Sequence, residues 1–142
     1  MLFRSRQGQT VEAEPWYRKS LALRESQVGP DHPDVGTLLG NLASLLEATN
    51  RTDEAWELSG RRLRCYFLDS AKQSRPHPGI GEALDQYGEL GTKRGLAERD
   101  VIHRVNELLR QTGCPPQLLS EFAENHLVEM LKPLRDAESR RN

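Results

Sequence analysis

Three carboxylates, Glu82, Asp85 and Glu89, fall at i, i+3 and i+7 and so share one face of any helix that carries them. Grouped carboxylates do general acid/base work only when one of them is desolvated enough to keep its proton near neutral pH. On an open helix face they are solvated, and their alternative use is an acidic patch suited to a Lys- or Arg-bearing peptide. His32 and His77 each precede a proline, but neither has a Cys, His or carboxylate partner at metal-ligand spacing, so both read as turn residues. His103 and His126 lack an i, i+4 ligand partner and read as ordinary surface or boundary histidines. Cys65 and Cys114 have no paired spacing and read as half-buried, inert thiols. The run Arg61-Arg62-Leu63-Arg64 has no interleaved aromatic residue and reads as a solvated outer face. With no Gly-rich phosphate loop or nucleophile elbow, the expectation is a non-enzyme with no catalytic residue, no metal site and no cofactor.

The elements that hold these residues follow from composition and repetition. The chain has 142 residues, 36% of them hydrophobic, and a net charge of -1, which gives no general pull toward nucleic acid or an anionic membrane. It lacks an apolar run long enough to cross a membrane and an export signal at MLFRSRQG, so a soluble, cytoplasmic protein is expected. Slid against itself by 42 residues, the sequence places Glu12-Ala13 on Glu54-Ala55, Gly8 on Asn50 and Leu21 on Leu63. An offset of 45 places His32-Pro33 on His77-Pro78, Leu39 on Leu84, Asn41 on Gln86 and Asn50 on Gly95. A period in the low forties implies stacked supersecondary units.

Each period reads as two helices. Val35, Leu38, Leu39, Leu42, Ala43, Leu45 and Leu46 form a 3.6-period stripe from Pro33 that stops at Thr49-Asn50. Asp53 opens a second helix with Ala55, Leu58 and Leu63 inward and Trp56 alongside, ending near Cys65 to Leu68. The pair recurs as Ile80 to Arg94 and Ala97 to Gln111. The expected fold class is all-α: a right-handed solenoid of helix-turn-helix hairpins.

The string Glu12-Ala13-Glu14-Pro15, Tyr17-Arg18-Lys19-Ser20-Leu21, and the linker Gly29-Pro30-Asp31-His32-Pro33 followed by Asn41-Leu42-Ala43, resembles the tetratricopeptide repeat of the kinesin light chain type. The resemblance implies a superhelix whose first helices line a concave groove for an extended peptide or a partner helix, without catalysis. It places Thr37, Gly40, Asn41, Ser44 and Glu47 on the groove in one repeat, and Glu82, Asp85, Gln86, Glu89 and Thr92 in the next. Of these, Thr37, Asn41, Ser44, Glu82, Asp85, Gln86 and Glu89 are the candidate binding residues. Asn41 looks like the family's residue for bonding a peptide backbone, with Gln86 a longer substitute. The third hairpin departs from the pattern at Asp100 and Arg104. The implied partner is a protein or peptide, with a basic one favoured by the acidic positions.

The resulting domain plan has repeats over 1–112, made of a truncated first repeat (1–28), a second (34–70) and a degenerate third (79–112). One amphipathic capping helix is expected over 115–136, built on Leu118, Leu119, Phe122, Ala123, Leu127, Met130, Leu131 and Leu134, followed by a frayed tail at 137–142. Projecting back by 42 puts Met1 on Ala43, so a helix over Thr10 to Glu25 lacks most of its hairpin partner and exposes Trp16, Tyr17 and Leu21. That face is expected to dock on a partner or on a second copy. The alternative function is a C-terminal sensor or oligomerisation segment of a larger NTP-dependent signalling protein.

Overall fold

The computed structural model describes residues 2–122, 125 and 127–129. It is a run of five α-helices followed by a 3-10 helix: α1 (Leu2–Val28), α2 (Pro33–Ala48), α3 (Thr52–Gln73), α4 (Ile80–Lys93), α5 (Glu98–Thr112) and the 3-10 helix Pro116–Phe122. No strand occurs among the described residues. The helices form two successive hairpins, α2–α3 and α4–α5, with α1 packed on α2.

The hairpins begin and end by local chemistry. A His-Pro step leads into each first helix, and its imidazole Nδ1 accepts a backbone N–H two residues on: Asp34 at 3.1 Å from His32, at the start of α2, and Gly79 at 2.9 Å from His77, in the turn before α4. Each ends in a left-handed residue, Asn50 with φ 61° and Gly95 with φ 92°, which folds the next backbone N–H onto the helix's open carbonyls. Inside the hairpins, Leu39, Leu42, Ala43, Leu46, Leu63, Phe67, Ile80, Leu84, Leu90 and Val105 are fully buried. Each large apolar side chain so placed contributes about 1.5–3 kcal/mol relative to exposure.

Three expectations are corrected. The helix expected over Thr10 to Glu25 is longer, because α1 runs as one helix from Leu2 to Val28 and passes through Gly8, the counterpart of Asn50. A hairpin turn is stabilised only if the returning helix has apolar surface to bury, and uninterrupted helix keeps the backbone groups around Gly8 bonded. Second, α3 continues beyond Leu68 to Gln73, since Tyr66, Phe67 and Ser70 are still buried. Ser70 Oγ then accepts the His77 N–H at 2.8 Å and draws the linker back over the helix end. Third, 115–136 does not begin as an α-helix. Pro116–Phe122 is a 3-10 helix, Asn125 is a bend, and helical structure is described again over 127–129. The Asn125 side chain accepts the Leu127 N–H at 3.0 Å, so the asparagine breaks one segment and caps the next. Met1, Ala123, Glu124, His126, Met130, Leu131, Leu134 and the tail at 137–142 lie outside the described residues.

Candidate interaction groove

The open sides of α2 and α4 bring most of the candidate residues together. Thr37, Asn41 and Ser44 are exposed along α2; Glu82, Asp85 and Glu89 are exposed along α4, with Gln86 half-buried between the two helices. Gly40 is buried, contrary to its expected place on the groove surface. The cause is Arg62, which was read as part of an outer basic face. Its side chain, 12% exposed, crosses from α3 beneath α2 to reach α4. A Cβ on Gly40 would stand 2.8 Å from Arg62 Nε, so glycine here lets the guanidinium pass without shifting.

Arg62 organises the floor of the groove. Its guanidinium lies 5.3 Å from the Tyr66 ring centre, donates from Nη1 to Gln86 Oε1 at 3.1 Å, and approaches the Glu82 carboxylate at 3.8 Å. Gln86 in turn donates from Nε2 to the Gly40 carbonyl and to Ser44 Oγ, both at 3.1 Å. The Tyr66 hydroxyl bonds Thr37 Oγ1 at 3.2 Å. The amide of Gln86 is therefore spent tying α4 to α2 and is not a second peptide-binding amide. Asn41 is different: no described group hydrogen-bonds its side chain, and it faces solvent.

The same amide device recurs one unit further on. Asn125 Nδ2 donates to the Gly81 carbonyl at 3.1 Å and to Asp85 Oδ1 at 2.6 Å, as Gln86 does to Gly40 and Ser44. Asp85 is thus engaged by the C-terminal segment, leaving Glu82 and Glu89 as the open carboxylates of α4. An open cleft of about 670 Å³ lies beside them, with Leu84, Val101 and Leu127 at its base and Glu89 and Lys93 on its walls. Lys93 is paired with Glu47 of α2, which holds the ammonium above its ordinary pKa range.

A tetratricopeptide repeat model matches residues 2–66. That stretch spans α1, α2 and most of α3. The α4–α5 hairpin lies outside the match yet repeats the His-Pro turn and left-handed stop of α2, and the all-α stack of hairpins is consistent with a tetratricopeptide helical repeat. No curated protein matches the chain. Tetratricopeptide repeats generally mediate protein–protein interaction. No described helix is long and apolar enough to cross a membrane, and no described group of three His, Cys, Asp or Glu residues is placed to hold a metal ion.

The expected docking face on α1 divides differently from the sequence reading. Tyr17 packs against the core and Leu21 is 9% exposed, both covered in the interior, whereas Trp16 is 71% exposed and Leu23 61%. Leu23 escaped the sequence reading although it lies seven residues, two turns, from Trp16. Of the Arg61–Arg64 run, Arg61 pairs with Glu25 at 3.0 Å and Arg64 with Asp31 at 3.4 Å, so both face the preceding unit.

Proposed function

We infer that the face shared by α2 and α4 binds an extended segment of a partner protein, with the Asn41 amide bonding the segment's backbone. Asn41 itself carries this reading, as an exposed and unengaged amide on a face whose other amide is bonded internally. A carboxamide offers one acceptor and two donors, the complement of a peptide unit. Glu82 and Glu89 stand in water on the facing helix and favour a segment bearing Lys or Arg. The cleft beside Leu84 and Leu127 has room for one of its apolar side chains. The Gly29-Pro30-Asp31-His32-Pro33 linker supports assigning the repeat to the kinesin light chain type. The two amides are told apart by mutation. Asn41→Ala should weaken capture of Lys/Arg-bearing extended peptides at least about tenfold, with the thermal midpoint unchanged. Gln86→Ala should lower the thermal midpoint, because it strips partners from the Gly40 carbonyl and the Arg62 guanidinium. Wild-type capture by Asn41→Ala in calorimetric titration would move the binding site off this face.

A further inference from the structure

The two-fold recurrence of the helices shows what is missing beside α1. The offset of 42 carries Trp16 onto Leu58, Leu23 onto Cys65 and Arg24 onto Tyr66 of α3. In α3 these positions are covered: Leu58 packs on the core, Cys65 is 1% exposed and Tyr66 2%. The cover over Cys65 and Tyr66 is α2, which approaches through Gly36, where a Cβ would stand 3.1 Å from Cys65 Cβ and 2.8 Å from Tyr66 Cε1. No described helix does this for α1, and Trp16 and Leu23, two turns apart with Ser20 between them, stay exposed.

The charges around these two residues specify what fits them. On the opposite side of α1, every carboxylate is occupied: Glu14 by Arg18 and Arg51, Glu25 by Arg61. On the side of Trp16 and Leu23, Lys19 lies with its ammonium 5.5 Å from the Trp16 ring, and Arg24 flanks Leu23; neither has an anionic partner among the described residues. Glu12, one turn before Trp16, is the acidic residue on that side. From Trp16 to Arg24 the surface carries two exposed apolar side chains with the small Ser20 between them and the cations Lys19 and Arg24 at its edges.

We propose that this face docks an amphipathic helix of a partner protein, laid antiparallel to α1, with small residues at the crossing as Gly36 and Gly40 provide in α2, and with carboxylates facing Lys19 and Arg24. A second copy is the poorer occupant. A two-fold pairing that sets each Trp16 on the other chain's Leu23 is centred beside Lys19 and brings the two ammonium groups together. The face lies on α1, apart from the groove of α2 and α4, and the proposal stands or falls independently of Asn41.

The probe is a fluorescein-labelled helical peptide of about 18 residues, with Gly and Leu on one face and Glu flanks, titrated with the full chain by anisotropy at low salt. A twin with Lys flanks is the comparison. The Glu-flanked peptide is expected to bind at least about tenfold more tightly than its twin. The variant Trp16→Ser with Leu23→Ser, both changes at exposed positions, should keep its circular dichroism and lose binding by about tenfold or more. Asn41→Ala should bind the peptide as the unchanged chain does. Equal affinity for the two twins, full binding by the double variant, or loss of binding in Asn41→Ala would each overturn the proposal. So would a solution mass that doubles with concentration and returns to one chain in the double variant, since a second copy would then cover the face.

Discussion

His32 sits at the N-cap of α2, where a helix most often carries Ser, Thr, Asp or Asn, and His77 holds the turn that leads into α4 by accepting the Gly79 N–H; both use a ring nitrogen. An imidazole accepts through Nδ1 only while that nitrogen is unprotonated. His77 is further held by stacking on Tyr66, with ring centres 4.0 Å apart. Burial pushes its pKa below the ordinary 6.5, and nearby Arg62 adds to this while Asp69 opposes it. The lowered native value fixes the sign. The contribution of His77 is complete above pH 6.5, where the unfolded chain's imidazole is also neutral, and is lost as pH falls toward and through the native value. His77→Ala should cost about 0.5–1.5 kcal/mol at pH above 7 through the lost Gly79 hydrogen bond and reduce the loss of stability on acidification, checked by urea unfolding at two pH values. The sequence marked both histidines as turn residues, and the structure bears this out for His77 and makes His32 the cap of α2 as well. The two thiols were legible as inert: burial pushes Cys65 and Cys114 up to about 11, far from thiolate chemistry.

At the scale of the helices, two different contacts hold neighbours together. Between α1 and α3, Glu14, Arg18, Arg51 and Glu54 form a closed lattice with contacts of 2.6–2.9 Å, and hydrogen bonds from Arg18 hold both carboxyls below their ordinary range. Between α4 and α5 the contact is steric. A Cβ on Gly91 would meet Val101 Cγ2 at 2.9 Å and Trp56 Nε1 at 3.3 Å. Gly91→Ala should therefore lower the thermal midpoint, since overpacking costs about 1–3 kcal/mol against about 1 kcal/mol gained in helix propensity. A raised midpoint would show that Val101 gives way freely. Hydrophobic periodicity placed α2, α4 and α5 within about a residue of their observed ends, since one apolar stripe decides each of them. It ended α3 too soon, because Tyr66 and Ser70 are held by the linker of the following hairpin through His77 as well as by their own unit. Asp100 and Arg104 looked like defects in the repeat, yet Val101, Val105 and Leu109 seat α5, and Arg104 lies 5.4 Å from the Trp56 ring.

The whole molecule is a stack whose ends are closed unequally. At the C-terminal end, the 3-10 helix buries Leu119 completely, the Phe122 ring lies 3.1 Å from the place of a Gly81 Cβ, and Leu127 lies over Gly88. A segment that merely trailed over the surface would tolerate Leu119→Ala within about 0.5 kcal/mol; one that closes the core should lose about 2–5 kcal/mol. The larger loss is expected, read as a lower thermal midpoint with increased dye binding to exposed apolar surface. At the other end, α1 is pinned to α3 by ions and to the core by Tyr17 and Leu21, and leaves Trp16 and Leu23 in water.

The all-α hairpin architecture, the repeat offset and the places of the two turns are legible in the amino-acid sequence, as are the exposed positions of α2 and α4 apart from Gly40. These are properties of periodicity and of residues that restrict the backbone locally, so they survive without neighbours. That Gln86 and Asp85 are engaged within the fold while Asn41 is open, and that Arg62 passes under α2, follows from how the helices pack. So does the exposure of Leu23, not Tyr17, alongside Trp16. Each of those outcomes depends on which side chain arrives from another helix at a given carbonyl, glycine or ring. Spacing along one chain carries no record of that arrival.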